Sequence, residues 1–202
     1  MTGGGALGLR LAAHLSATGA AAVVLVVRSG KRGPAHDARA AALEKLRAGP
    51  AEVVVEIADV ADGPAMAAVA ARIMARFGRL DEVFHTAGVA GGGLMQLKDP
   101  ADAFRVMRPK CEGALVLIEA VRPLKPRTVM LFSSSIALTG AAGQADYAAA
   151  NLYQDALAAA MDGCDGMRVV SVNWDAWRDI GMAHRNLSGS AEAEEIDDHP
   201  LL

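Results

Sequence analysis

The chain has only two cysteines, Cys111 and Cys164. They offer neither a disulfide framework nor the paired spacing of a metal site, and read as reduced, buried thiols. Aromatic residues are scarce at 4%, so the interior must be packed mainly from aliphatic side chains, alanine above all, within the 52% that is hydrophobic. Charge is nearly balanced, with a formal net of -3, which gives no reason to expect nucleic acid or an anionic membrane surface as a partner. No apolar run is long enough to cross a membrane. The stretch 11–27 carries His14 and a Thr18-Gly19 break and falls short of the ~20 residues that a spanning helix needs. No targeting segment is recognisable, and the cytosol is the compartment implied. A chain of 202 residues suits one sizeable core rather than two domains.

What is present is an alternation. Apolar, β-branched runs at 22–27, 53–57, 80–85, 127–132 and 167–172 read as strands, and 22–27 lacks polar alternation, as expected of a strand buried on both faces of a parallel sheet. Helical patterns fill the intervals: one opening at the Gly8 end of a glycine cluster and stopped by Gly19, then 35–48, 64–77, 101–121 with a bend near Pro109, and 145–161. Strands alternating with helices indicate βαβ units, hence an α/β fold of Rossmann-like type: a doubly wound parallel sheet with helices on both faces. After Ala183 the composition turns polar and acidic, so 184–202 reads as a linker or tail and 1–183 as the folded domain.

The stretch 132–151, FSSSIALTGAAGQADYAAAN, concentrates the chemistry. Ser134 stands where a strand ends, and open α/β sheets bind ligands outside the carboxyl ends of their strands. Tyr147 and Asn151 are four apart on a helix and share a face, so hydroxyl, phenol and carboxamide can meet. At the other end, Gly3, Gly5 and Gly8, with Leu7, lead into a helix; glycines let backbone amides and a helix N-terminus approach a pyrophosphate. Arg28-Ser29 closes the next strand where an adenosine ribose would lie, and a guanidinium there suits the 2′-phosphate of NADP. Asp59 can reach an adenine edge or, alternatively, cap a turn. His85 reads as a satisfied pocket-wall residue; Trp174, Trp177 and Met182 read as part of a substrate-side lid or, alternatively, as packing residues.

These residues carry a resemblance. TGGGALG at 2–8, LVVRSG at 25–30, DVAD at 59–62, VFHTAGV at 83–89, PKCEGA at 109–114, the 132–151 stretch and VNWDAWRDIGMA at 172–183 together resemble the catalytic part of a ketoreductase domain of a modular type I polyketide synthase, in the short-chain dehydrogenase/reductase superfamily. Ordinary members of that superfamily place lysine four residues after the tyrosine. Here that place is Asn151, and Lys110 stands where polyketide ketoreductases keep their lysine. The resemblance implies a tetrad of Lys110, Ser134, Tyr147 and Asn151. It also implies NADPH held by Gly3, Gly5, Leu7, Gly8, Arg28, Ser29, Asp59, Val60, Thr86, Ala87 and Gly88, with no metal. The reaction implied is reduction of a β-ketoacyl thioester carried on the phosphopantetheine of an acyl carrier protein, beside neighbouring synthase domains. Lys110 is expected to lower the pKa of the Tyr147 phenol, matching a proton donor to neutral pH.

The sequence also departs from that pattern. It begins at Met1-Thr2, so the strand expected before the glycine loop is missing, which suggests N-terminal truncation and unpaired backbone groups on the neighbouring strands. Gly3, Gly4 and Gly5 run together, which shortens the loop. Ala90-Gly91-Gly92 and Thr139 occupy the places of the two stereochemical fingerprints, so product configuration is open. These departures motivate the alternative of a reductase-inactive structural or docking remnant.

Overall fold

The computed structural model describes residues 1–28 and 34–177. Helix α1 spans Ala6–Ala17 and is followed by strand β1, Ala22–Val27. Helix α2 is Pro34–Arg47, β2 is Glu52–Ile57, α3 is Gly63–Phe77 and β3 is Glu82–His85. The second half holds α4 (Pro100–Met107), α5 (Glu112–Val121), β4 (Thr128–Ser134), the short α6 (Ile136–Thr139), α7 (Ala145–Met161) and β5 (Arg168–Trp174). Local signals set these limits. Asp62 caps α3 by accepting from the Ala65 amide at 3.0 Å, and Gly78 ends it in the left-handed conformation at φ 69°.

Where one helix with a bend was expected over 101–121, there are two. Pro109 has no amide proton and its ring crowds the preceding turn, so the helix stops at Met107 and restarts at Glu112. The break turns Lys110 inward, to 3% exposure. Strands β4 and β5 each run two residues beyond the apolar run that marks them, because the parallel register continues through Ser133↔Asn173 and Ser134↔Trp174. Polar residues at strand ends hide this in the sequence, yet it is what makes Ser134 the last residue of a strand.

The sheet is parallel throughout. β1 pairs with β2, and β3, β4 and β5 form a three-stranded group in that order. The gap expected before the glycine loop is not seen. Thr2 bridges Val26 on one side and His85 on the other, through Thr2 N–H to Phe84 O and Thr86 N–H to Thr2 O, both 2.9 Å, and Gly3 N–H to Val26 O at 3.0 Å. Met1–Gly3 therefore satisfy the facing groups at the carboxyl ends of β1 and β3, where unpaired groups were expected. From this bridge the chain winds to β1 and β2 on one side and to β3, β4 and β5 on the other, so the switch point of the sheet lies above Thr2. The main core packs Val83, Val129 and Leu131 of the sheet against Met66, Val69 and Ile73 of α3 and Leu117, Ile118 and Val121 of α5. Cys111 and Cys164 are free but only half-buried, short of the burial expected, since both lie in chain breaks beside helix ends.

His85 locks three segments together. It is fully buried; Nε2 donates to the Pro109 carbonyl at 3.0 Å, so Nδ1 is the acceptor for the Thr2 hydroxyl at 2.7 Å. Burial, with the nearby Lys110 charge, pushes its pKa down from 6.5 to about 3. The unfolded chain therefore takes the proton first, and stability present above pH 6.5 is lost as pH falls toward 3. Between about pH 7 and about pH 4.5, urea unfolding should show a loss of about 2–3 kcal/mol from this group. A His85→Gln variant should lack that increment; equal losses in both proteins would assign the acid sensitivity elsewhere.

Candidate active site

Ser134, Tyr147 and Asn151 meet at the carboxyl end of β4. Ser134 is carried there by the strand, and Tyr147 stands in the first turn of α7, whose Ala-rich sequence keeps the helix close to the sheet. Burial pushes the Tyr147 phenol above its ordinary value, against the opposing pull of the Asn151 and Ser134 side chains. Asn151 is fully buried. Its Nδ2 donates to the Tyr147 carbonyl at 2.7 Å and its main-chain carbonyl accepts from Ser133 Oγ at 3.2 Å, which ties α7 to β4 beneath the tyrosine. Its Oδ1 has no partner.

Lys110 comes from the α4–α5 break. Its Nζ lies 5.9 Å from the centre of the Tyr147 ring and donates to the Phe132 carbonyl at 2.5 Å and to Gln154 Oε1 at 3.1 Å. Burial lowers its pKa from 10.5 to about 7, opposed by the Asp155 charge. The expected lowering of the tyrosine by an ammonium is thus reversed in the free protein. Desolvation raises the phenol and also depletes the lysine of charge at neutral pH.

The glycine loop and the switch point form the second half of the site. Gly5 caps α1 without any side-chain hydrogen bond, and a Cβ built on it would meet nothing within 4 Å. The space beside Gly5 at the α1 N-terminus is thus open, which fits a diphosphate. Gly3, at φ 99°, and Gly8 are packed tightly: Cβ atoms there would lie 2.6 Å from Thr86 Oγ1 and 2.3 Å from Gly3 O respectively. Thr86 Oγ1 donates to Thr2 O at 2.8 Å, so Thr86, Ala87 and Gly88 follow β3 along the same crevice. Arg28 is exposed past the end of β1. Asp59 Oδ1 accepts from the Ala61 amide at 3.0 Å and Oδ2 pairs with Arg108 at 2.8 Å; Val60 is buried beside it. Ser29 and Met182 lie outside the described residues. The pieces of this crevice fit a nicotinamide dinucleotide. Among the described residues no cluster of His, Cys, Asp and Glu could hold a metal ion, and no helix is long and apolar enough to cross a membrane.

The KR domain family matches residues 1–179. The chain belongs to that family. It is 39% identical over 183 residues to the spectinabilin polyketide synthase system protein NorB of Streptomyces orinoci, covering 90% of this chain and 8% of NorB. Against the pikromycin polyketide synthase component PikAIII of Streptomyces venezuelae it is 37% identical over 183 residues, 90% of this chain and 11% of PikAIII. A ketoreductase domain from the bacillaene assembly line superposes with a TM-score of 0.82 at 31% identity, over 95% of this chain and 48% of that one. A-type ketoreductases from a modular polyketide synthase give 0.78 at 36% identity, over 93% and 40%. This KR domain thus spans about half or less of those ketoreductase chains and a small part of the synthases. Its fold is the Rossmann-like fold of the short-chain dehydrogenase/reductase superfamily.

Several residues of this KR domain escape sequence reading. Arg39 of α2 donates from Nε to the Gly4 carbonyl at 2.8 Å, pinning the glycine loop to a helix 35 residues away. Lys98 and Asp146 form an ion pair whose side chains are 12% and 4% exposed, clamping the 91–98 loop over the start of α7. Gly91 fits there because a Cβ would lie 2.9 Å from Tyr147 Cβ. Asn173 of β5 reaches Asp155 at 2.8 Å and the Ser134 carbonyl at 3.2 Å, supporting the strand end that presents Ser134. Trp174 stacks on Phe132 at 5.3 Å and meets Trp177 at 5.0 Å, so these tryptophans pack beside β4 as much as they line a substrate side.

Proposed function

We propose that this KR domain is an NADPH-dependent β-ketoacyl reductase, acting in the cytosol on acyl chains held by the phosphopantetheine of an acyl carrier protein, beside other polyketide synthase domains. The observation that carries this reading is the convergence of Ser134, Tyr147 and Asn151 over buried Lys110 at the carboxyl end of β4. NADPH, when bound, supplies the hydride that no side chain can provide. Ser134 hydrogen-bonds the substrate carbonyl and stabilises negative charge as it forms on the oxygen. Tyr147 gives its phenolic proton to that oxygen, and Lys110, when charged, stabilises the phenolate left behind. Asn151 holds the α7 backbone so that the phenol meets the serine. Leu7, Gly8 and the other first-turn amides of α1 hold the diphosphate, with Arg28 at the 2′-phosphate.

Turnover of a β-ketoacyl thioester with loss of NADPH tests the proposal; a folded, nucleotide-binding protein that turns over no such ketone would overturn it. A second reading, a structural remnant without reductase activity, is favoured by one feature: among the described residues, the backbone pairing between β1 and β3 runs through the short Met1–Gly3 segment. Nucleotide titration of a folded sample separates the two, since the remnant binds no NADPH. Arg28→Ala should weaken NADPH about 10- to 100-fold while leaving NADH nearly unchanged. Equal weakening of both nucleotides would remove Arg28 from the 2′-phosphate.

A further inference from the structure

Gln154 is a polar residue where packing asks for an apolar one. It lies on α7 seven residues after Tyr147 and three after Asn151, on the face turned to the sheet, and it is fully buried. Its Nε2 has no partner. A buried amide nitrogen left unpaired destabilises a fold, and an apolar side chain of similar length would fill the place without that penalty. Packing therefore does not account for it. What it does touch is Lys110, whose Nζ donates to Oε1 at 3.1 Å.

We propose that Gln154 is the positioning residue of Lys110, fixing the ammonium between β4 and α7 beneath Tyr147. The Phe132 carbonyl takes one Nζ proton at 2.5 Å and Gln154 takes another. Two fixed acceptors on different elements leave the flexible lysine stem a single orientation, with the Tyr147 ring centre 5.9 Å away. The same contact favours the charged amine, because a carboxamide oxygen stabilises an ammonium and offers a neutral amine little. The other titratable groups around Lys110 are few: His85 on β3, neutral down to about pH 3, Asp155 on α7 and Cys111 beside it, and Tyr147 itself. Asp155 favours the charge electrostatically, and the Gln154 carboxamide oxygen adds its dipole beside that of the Phe132 carbonyl.

The assignment rests on Lys110 belonging to the reducing site, and two measurements keep the ideas apart. Lys110 is titrated by NMR in the free full-length chain carrying labelled lysine, its signal assigned by its loss in Lys110→Met. The alkaline limb of kcat with a β-ketoacyl thioester is followed in parallel. Gln154→Met, which keeps the shape and removes the acceptor, should lower the Lys110 midpoint by about one pH unit, a tenfold change in protonation ratio. Gln154→Glu should raise it by at least as much, and the limb should move the same way in each variant. Both variants leaving the Lys110 midpoint unmoved, whatever they do to rate, would overturn the proposal. So would loss of the folded state in both Gln154→Met and Gln154→Leu, which would make Gln154 a residue of the fold. A midpoint that moves in a protein that reduces no ketone would uphold the Lys110 contact and contradict the reductase reading instead.

Discussion

Replacing Tyr147 by phenylalanine should lower the rate of NADPH-dependent ketone reduction by about 10²–10⁴-fold, the range expected when a positioned proton donor is removed. The fold should survive. Tyr147 is half-buried, and phenylalanine keeps the ring against Lys110 and Gly91. The free protein holds the phenol above its ordinary pKa by burial, so the group is protonated across the neutral range and ready to donate. What the site must then stabilise is the phenolate that appears as the proton leaves. Lys110, pushed down to about 7 by burial, is only partly charged in that range, so kcat should fall on the alkaline side as the lysine gives up its proton. Steady-state rates of the variant, with nucleotide affinity measured separately, check the assignment. A Tyr147→Phe protein that reduces ketone at the wild-type rate would remove the phenol from the reaction.

The second large effect belongs to the glycine loop. Gly8→Ala places a Cβ 2.3 Å from the Gly3 carbonyl oxygen and 2.9 Å from Thr86 Oγ1. The first of these is backbone and cannot swing away, so the loop or the start of α1 must shift. A stability loss of about 1–3 kcal/mol is expected from such overpacking, together with at least ~10-fold weaker NADPH binding as the amides lose their aim. Gly5→Ala is the informative contrast. Its Cβ meets nothing within 4 Å and its backbone, at φ -78° and ψ 175°, suits alanine, so melting should stay close to wild type. Nucleotide affinity should still fall, because the Cβ enters the space where the diphosphate is proposed to lie. Unchanged NADPH affinity in Gly5→Ala would place the diphosphate elsewhere.

How much of this is legible in the sequence depends on whether a residue's environment is local. The strands of the sheet read plainly because runs such as Ala22–Val27 are apolar on both faces, and the Phe132–Asn151 stretch shows its chemistry because four-residue spacing on a helix is a local rule. Lys110 is different. Its inward turn follows from Pro109 dividing what reads as one helix, and its neighbours Phe132 and Gln154 are distant in sequence. Gln154 is invisible for a related reason: a lone glutamine in an Ala-rich helix reads as solvated until the sheet is laid against that face. Thr2 shows no periodicity at all, yet it bridges β1 and β3. The direction of the tyrosine shift is misjudged from sequence because spacing reveals the nearby lysine and not the burial that both groups share.

The central claim is that Tyr147 and its neighbours deliver a proton to a ketone oxygen while nicotinamide delivers a hydride to its carbon. It is tested most directly by incubating the protein with a β-ketoacyl thioester and NADPH deuterated at the carbon that gives up the hydride, and analysing the product by mass spectrometry and NMR. The account predicts a β-hydroxyacyl thioester carrying one deuterium on the hydroxyl-bearing carbon, formed by the wild type and not by Tyr147→Phe. Recovery of unreduced thioester from a folded protein saturated with NADPH would contradict it.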